Sequence, residues 1–256
     1  MLDLHGLRVI NTRPSVRAEA LTQALHDAGA EVLSLPLLET IPITLDAQSK
    51  ACVLNLDLYR AVFVVSPTAA QLGMSLLADY WPQWPVNMQW FAVGQATAEV
   101  LRSYGLEPIV PAQETSEGLL QLNALQQLAQ GERLLVLRGE GGRNLVRDSL
   151  QQQGVKVDYI NLYRRQLPQN SQQHWLSIQP QQPNVVILSS GETLNHWCEL
   201  ALEQAKTMIA LVISPRLAYL ATQKGIQTVL VADSMKPKDI ILTLNQWRNS
   251  SRHGID

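Results

Sequence analysis

Six hydroxyl- and glycine-rich loops follow short apolar runs: TRPS (12–15), VSPTAA (65–70), VGQATA (93–98), LRGEGGR (137–143), LSSGET (188–193) and ISPRLA (213–218). Serine, threonine and glycine there offer hydroxyls and unpaired backbone N–H groups at the positive ends of helices, which is the chemistry of anion binding. Taken alone, Ser66, Ser189 or Ser214 reads first as an ordinary helix N-cap. The series points instead to a shared anionic ligand. Arg13, Arg138 and Arg143 stand at or just after the same strand ends, where a guanidinium grips a carboxylate with two parallel hydrogen bonds. Pairing with a local acid such as Glu140 is their structural alternative.

Other chemistries lack an anchor. RGEGGR suggests a phosphate loop, yet Gly139 and Gly141 would need a glycine where Asn144 stands, and no Lys-Ser or Lys-Thr completes a Walker-type loop. The histidines, His5, His26, His174, His196 and His253, sit near no nucleophile and at no metal-ligand spacing. No GxSxG elbow or HExxH is present. Cys52 and Cys198 lie far apart and read as buried thiols. Trp81, Trp84 and Trp90 flank a proline-containing segment that packs rather than binds. No metal and no cofactor is expected.

The elements that must position these loops alternate strand with helix. RVIN, AVFVV, WFAV, LLVL, VVIL and ALVI are apolar at consecutive positions, as parallel strands covered on both faces require. Ser15 opens one amphipathic helix that Gly29 closes, and a second runs from Arg143 to Gln153 ahead of Gly154. These two helices are copies. RVINTRPSVRAEALTQALHDAGAEVLSLP lies over RLLVLRGEGGRNLVRDSLQQQGVKVDYIN, pairing Arg13 with Arg138, Leu25 with Leu150 and Gly29 with Gly154 at one constant offset. AVFVVSPTAA (61–70) matches NVVILSSGET (184–193), and FAVGQATAEVLRSYGL (91–106) matches LVISPRLAYLATQKGI (211–226). Three ordered matches imply duplication and two similar α/β domains. The connectors LPLLETIPI and INLYRRQLP also correspond and are candidate hinges. Periodicity leaves open which copy packs in which domain.

With 256 residues, 46% apolar and 16% charged, and a net charge of −2, the chain can build cores for two domains and offers no nucleic-acid footprint or polybasic membrane surface. The N-terminus lacks a signal-peptide pattern and no apolar stretch reaches membrane-spanning length, so a cytoplasmic protein acting on a small molecule is expected.

In order, TRP near the start, SPTAA, VGQATA, TSEGLL (115–120), LRGEGGR, the INLYRR connector and LSSGE resemble the loop series of the uroporphyrinogen-III synthase family over nearly the whole chain. The resemblance implies two similar three-layer α/β/α domains with parallel sheets, duplicated and swapped. Residues 1–36 would join 168–256, residues 40–163 would form the inserted domain, and 36–43 and 160–168 would be extended linkers flanking an active-site cleft. It implies a cofactor-free lyase, a monomer, acting on hydroxymethylbilane, a linear tetrapyrrole with eight acetate and propionate carboxylates. Water leaves ring A, ring D is inverted through a spiro intermediate, and uroporphyrinogen III forms. The only protein partner implied is a transient one, the preceding enzyme of the pathway. Tyr163 matches a tyrosine that the family uses near the leaving hydroxyl and is read as the proton donor, with a buried, hydrogen-bonded structural tyrosine as the alternative. Ser66, Thr68, Thr97, Ser116, Ser189 and Ser190 carry over as carboxylate contacts, together with Gly139 and Gly191 of the same loops and the arginines Arg13, Arg138 and Arg143. Where relatives often place Thr and Ala after a turn, this chain reads Ser214, Pro215, Arg216, Leu217, so a charge on Arg216 is expected to replace a hydroxyl.

Overall fold

The apolar runs become strands. In a computed structural model describing residues 2–252, with the side chains of residues 15–17, 251 and 252 left aside, these are β1 (Arg8–Asn11), β2 (Glu31–Ser34), β3 (Glu39–Pro42), β4 (Ala61–Val64), β5 (Gln89–Ala92), β6 (Arg133–Gly139), β7 (Lys156–Gln166), β8 (Val185–Leu188), β9 (Ile209–Val212) and β10 (Val229–Val231). The helices in the first half are α1 (Ser15–Asp27), α2 (Ala47–Leu54), α3 (Pro67–Ala78), α4 (Gln95–Ser103), α5 (Ser116–Leu120) and α6 (Asn123–Gln126). Those that follow are α7 (Leu145–Gln152), α8 (Ser171–Ile178), α9 (Gly191–Ala201), α10 (Glu203–Thr207), α11 (Pro215–Gln223) and α12 (Pro237–Arg252).

The chain divides into two compact units. The first unites the residues up to Glu39 with those from Gln166 onward, and the second is Thr40–Arg165. One five-stranded sheet has the order β10-β9-β8-β1-β2 and the other β3-β7-β6-β4-β5. The pairings from β10 through β2 and from β7 through β5 are parallel. β1 pairs with β8, in register at Val9 and Val185, whereas its duplicate β6 pairs with β4, in register at Leu134 and Ala61. That partner choice answers what periodicity left open. Both connectors are strands: Ile43 N donates to Leu162 O (2.9 Å), and Gln166 Nε2 donates to Glu39 Oε1 (3.0 Å).

Alternate side chains of each run enter different cores. Val185 and Ile187 join one cluster and Val186 and Leu188 another, while Ala61 and Phe63 separate in the same way from Val62 and Val64. A strand buried on both faces has no polar side, hence the continuous apolar runs and the α/β class read from sequence. Among the described residues no helix is long and apolar enough to cross a membrane.

Ser15 does open α1, as its first residue, with Pro14 in the N-cap position. One local expectation needs correction. Cys52 is buried but Cys198 only partly, since α9 turns that position toward its margin. Trp81, Trp84 and Trp90 do pack: Trp84 meets Trp90 edge-on at 5.6 Å, and Trp81 Nε1 donates to Val53 O (2.7 Å). His253 lies outside the described residues.

Candidate functional site

Strand β7 carries Tyr163 alongside the end of β6, where the register shifts between Arg138 and Gly139 and sets Gly139 against Tyr163. The tyrosine is 5% exposed. Its hydroxyl lies 3.0 Å from Ser66 Oγ, and that same Oγ accepts from Ala69 N (3.0 Å) as the N-cap of α3. One serine thus joins the phenol to the positive end of a 12-residue helix. Gly139 explains the fit: a Cβ there would stand 2.5 Å from Tyr163 Cε2 and 2.6 Å from Cζ. Its missing side chain is a slot for the ring. Thr68, half-buried, sits in the first turn of the same helix.

The arginines are more occupied than their loops suggest. Arg138 Nε donates to Asn161 Oδ1 (3.1 Å) and its Nη1 to Arg143 O (3.3 Å). Arg143 grips Glu117 with both ends of its fork, at 2.5 and 3.1 Å, and holds that carboxyl below the usual carboxylate range. The partner is therefore Glu117, 26 residues away, and not the neighbouring Glu140. A second acid of the same segment, Glu114, accepts from Gln95 N (3.2 Å) at the start of α4, where Gly94 has no side chain to cap with. Two anion-favouring positions of this unit thus already hold the chain's own carboxylates. Only the crowded acids in QETSE hinted at it. Thr97, read as a ligand contact, is 1% exposed inside α4 and is not among the accessible groups. Thr115 rather than Ser116 caps α5, leaving the Ser116 side chain half-buried on its first turn.

In the first unit Arg13 is partly buried after β1, its N–H donating to Asn11 Oδ1 (3.2 Å), and Thr12 Oγ1 donates to Ile187 O (2.6 Å). The N-cap of α9 is Ser190, whose hydroxyl accepts from Thr193 N (3.2 Å) within a capping box. Ser189, which could be read as the cap, falls one residue short because a further residue separates β8 from the helix. Ser66 thus has Ser190 as its structural counterpart. Ser214 caps α11 through Leu217 N (3.2 Å), as its loop suggested. Ser189, Ser190 and Gly191 face Ser214, Arg216 and Leu217 across a cavity of about 220 Å³. It offers hydroxyls, two helix N-termini and one exposed guanidinium, a composition suited to a carboxylate on an apolar ring.

The model of the family described as uroporphyrinogen-III synthase HemD matches residues 19–241. The uroporphyrinogen-III synthase of Escherichia coli K12 is 32% identical over 246 residues, covering 89% of this chain and 96% of that one. The Proteus mirabilis uroporphyrinogen-III synthase is 34% identical over 166 residues, 62% of this chain and 80% of its own. A mutant uroporphyrinogen III synthase from the extremely thermophilic bacterium Thermus thermophilus shares the fold with a TM-score of 0.63 at 16% identity, over 97% of this chain and all of that one (100%). The Helicobacter pylori enzyme does so with a TM-score of 0.55 at 14% identity, over 96% and 99%.

Proposed function

The chain belongs to the uroporphyrinogen-III synthase family, and from that premise we propose that it converts hydroxymethylbilane to uroporphyrinogen III with loss of water and inversion of ring D. The observation that supports a chemical role for one residue is the 3.0 Å contact between Tyr163 and the helix-capping Ser66.

The reaction asks little of a catalyst besides one proton and one shape. The ring A hydroxyl takes a proton and leaves as water; the azafulvene so formed is attacked by the substituted carbon of ring D. A spiro intermediate results, and its fragmentation and reclosure invert that ring. Tyr163 donates the proton. Ser66, held by Ala69 N at the start of α3, orients the phenol, and the positive helix end favours the negative charge that develops when the proton departs. Isomer I is the product of closure without steering, so the remaining work is conformational: the bilane must be held folded so that ring D attacks through its substituted carbon.

The bilane's eight carboxylates give the polar loops their purpose. Arg13, Thr68, Ser116, Arg138, Arg143, Ser189, Ser190 and Gly191 supply contacts, with Arg216 adding a charge, whereas Gly139 serves the tyrosine and Thr97 supports α4 from within. The same reading needs no metal or cofactor, and among the described residues no cluster of three or more His, Cys, Asp or Glu side chains is built to hold a metal. We further propose a cytoplasmic monomer that takes its substrate from the preceding enzyme and uses no nucleic acid or membrane partner; sedimentation of the purified protein checks the monomer.

The deciding experiment is the product isomer. Hydroxymethylbilane incubated with the chelated, dialysed protein should yield isomer III at undiminished rate; isomer I alone, or activity restored only by an added metal, refutes the proposal.

A further inference from the structure

Two guanidiniums share one aromatic ring in the second unit: Arg138 stands 4.2 Å from the ring centroid of Tyr159 on β7, and Arg147 of α7 stands 4.0 Å from it. Arg147 makes no hydrogen bond or ion pair among the described residues. Arg138 spends its donors on neutral oxygens, those of Asn161 Oδ1, Arg143 O and Asn144 Oδ1. Three other arginines of this unit do meet acids: Arg143 meets Glu117, Arg133 meets Asp158 and Arg60 meets Glu132. Here the acid is missing.

The cluster also contains two buried polar atoms without a partner, Arg147 Nε and the Tyr159 hydroxyl. The face of the ring offsets part of the repulsion between two like charges, but it cannot accept a hydrogen bond from Nε in the plane of the guanidinium. Buried donors are nearly always satisfied, so two unpartnered polar atoms beside two cations that meet no acid favour an anion there. A planar oxyanion suits the forks.

We propose that Arg138, Arg147 and Tyr159 together hold one carboxylate of the substrate, with Arg147 as a binding residue that the loop motifs do not contain. The identity of the carboxylate rests on the bilane reading above. The anion-binding capacity does not.

Arg147→Met tests it, because methionine keeps an apolar stem over Tyr159 while removing the charge and the N–H groups. The KM for hydroxymethylbilane should rise about tenfold, the value of one charge-assisted contact, with kcat within about twofold and isomer III retained, the pattern of lost uniform binding. The Tm of the ligand-free variant should equal or exceed that of the wild type. Citrate, used as a carboxylate probe, should raise the wild-type Tm and leave that of the variant unchanged. Tyr159→Phe, which removes only the unpaired hydroxyl, should move KM in the same direction by less. An unchanged KM together with citrate protection equal to wild type overturns the proposal, as does a lowered ligand-free Tm with normal KM, which is the mark of a packing role. Should the wild type make no isomer III, the bilane reading falls while the citrate arm still decides the clamp.

Discussion

In the first unit the sheet runs β10-β9-β8-β1-β2; in the second the corresponding series is β5-β4-β6-β7, with Ile109 bridging to Phe91 where β10 would stand and β3 added beyond β7. The strands, their parallel pairing and the caps Ser66 and Ser190 are preserved. The groups beyond the strand ends are not. At the offset that pairs Arg13 with Arg138, Gly139 falls on Pro14 and Tyr163 on Leu38, so the first unit has neither the phenol nor the slot that receives it. It keeps instead a cavity lined by Ser189, Ser190 and Arg216. Duplication preserved the scaffold because each central strand packs a core on both faces of its sheet; the loops, free of that constraint, diverged, and on the proposed reading the second unit carries the proton donor as well as substrate contacts while the first carries contacts alone.

Removing the phenol should break that division most sharply. Tyr163→Phe should lower turnover roughly 10²-fold, the lower end of what a positioned acid contributes, while the product stays isomer III. Wild-type turnover would end the assignment, and a switch to isomer I would show that the tyrosine steers rather than protonates.

A methyl at Gly139 should do nearly as much without touching the phenol chemically. Its Cβ would meet the ring at 2.5 Å, so Tyr163 must move off Ser66, and we expect a fall in kcat of roughly tenfold. Gly191→Ala, where nothing lies within 4 Å, should leave Tm unchanged and raise only KM. Equal kcat losses at the two glycines would erase the asymmetry.

The caps separate stability from activity. Ser66→Ala and Ser190→Ala should each cost about 1 kcal/mol in denaturant melts, but only the first strips Tyr163 of its partner, so only the first should lower kcat.

The smallest effect concerns acid. Arg143 depresses the Glu117 carboxyl, so the pair's contribution to stability is complete above the ordinary carboxylate range and is lost as pH falls through the lowered folded-state value. Both side chains are well exposed, so the acid limb of a Tm–pH profile should shift only slightly in Glu117→Gln, and the freed Arg143 should lower KM by about twofold. A raised KM would mean that the ion pair organises the loop rather than occupying it.

What could be read in advance depended on how local the physics was. Consecutive apolar runs such as VVIL, repeated in alternation with amphipathic segments, read as strands covered on both faces, so the α/β class was plain, and Ser66 and Ser214 announce their own helices. Ser189 and Ser190 could not be told apart, because a one-residue slip between copies is invisible when both positions are serine. Thr97 faces inward through the packing of α4, and Glu117 reaches Arg143 across 26 residues; neither follows from a loop's composition. The Arg147–Tyr159 stacking unites a helix and a strand with no motif in common. Gly139 was legible as a glycine but not for its reason, which is the tyrosine on the next strand.

The pairing of β1 with β8 also imposes an order in time. A ribosome adding about 5–20 residues each second needs on the order of ten seconds or more to deliver Val185 after Val9. During that interval β4 and β5 emerge before their own neighbour β6, while β1, which resembles β6, is already present. A nascent chain can therefore mate the older copy with the wrong sheet, and production of active protein should depend on how quickly translation reaches the LRGEGGR segment that displaces it.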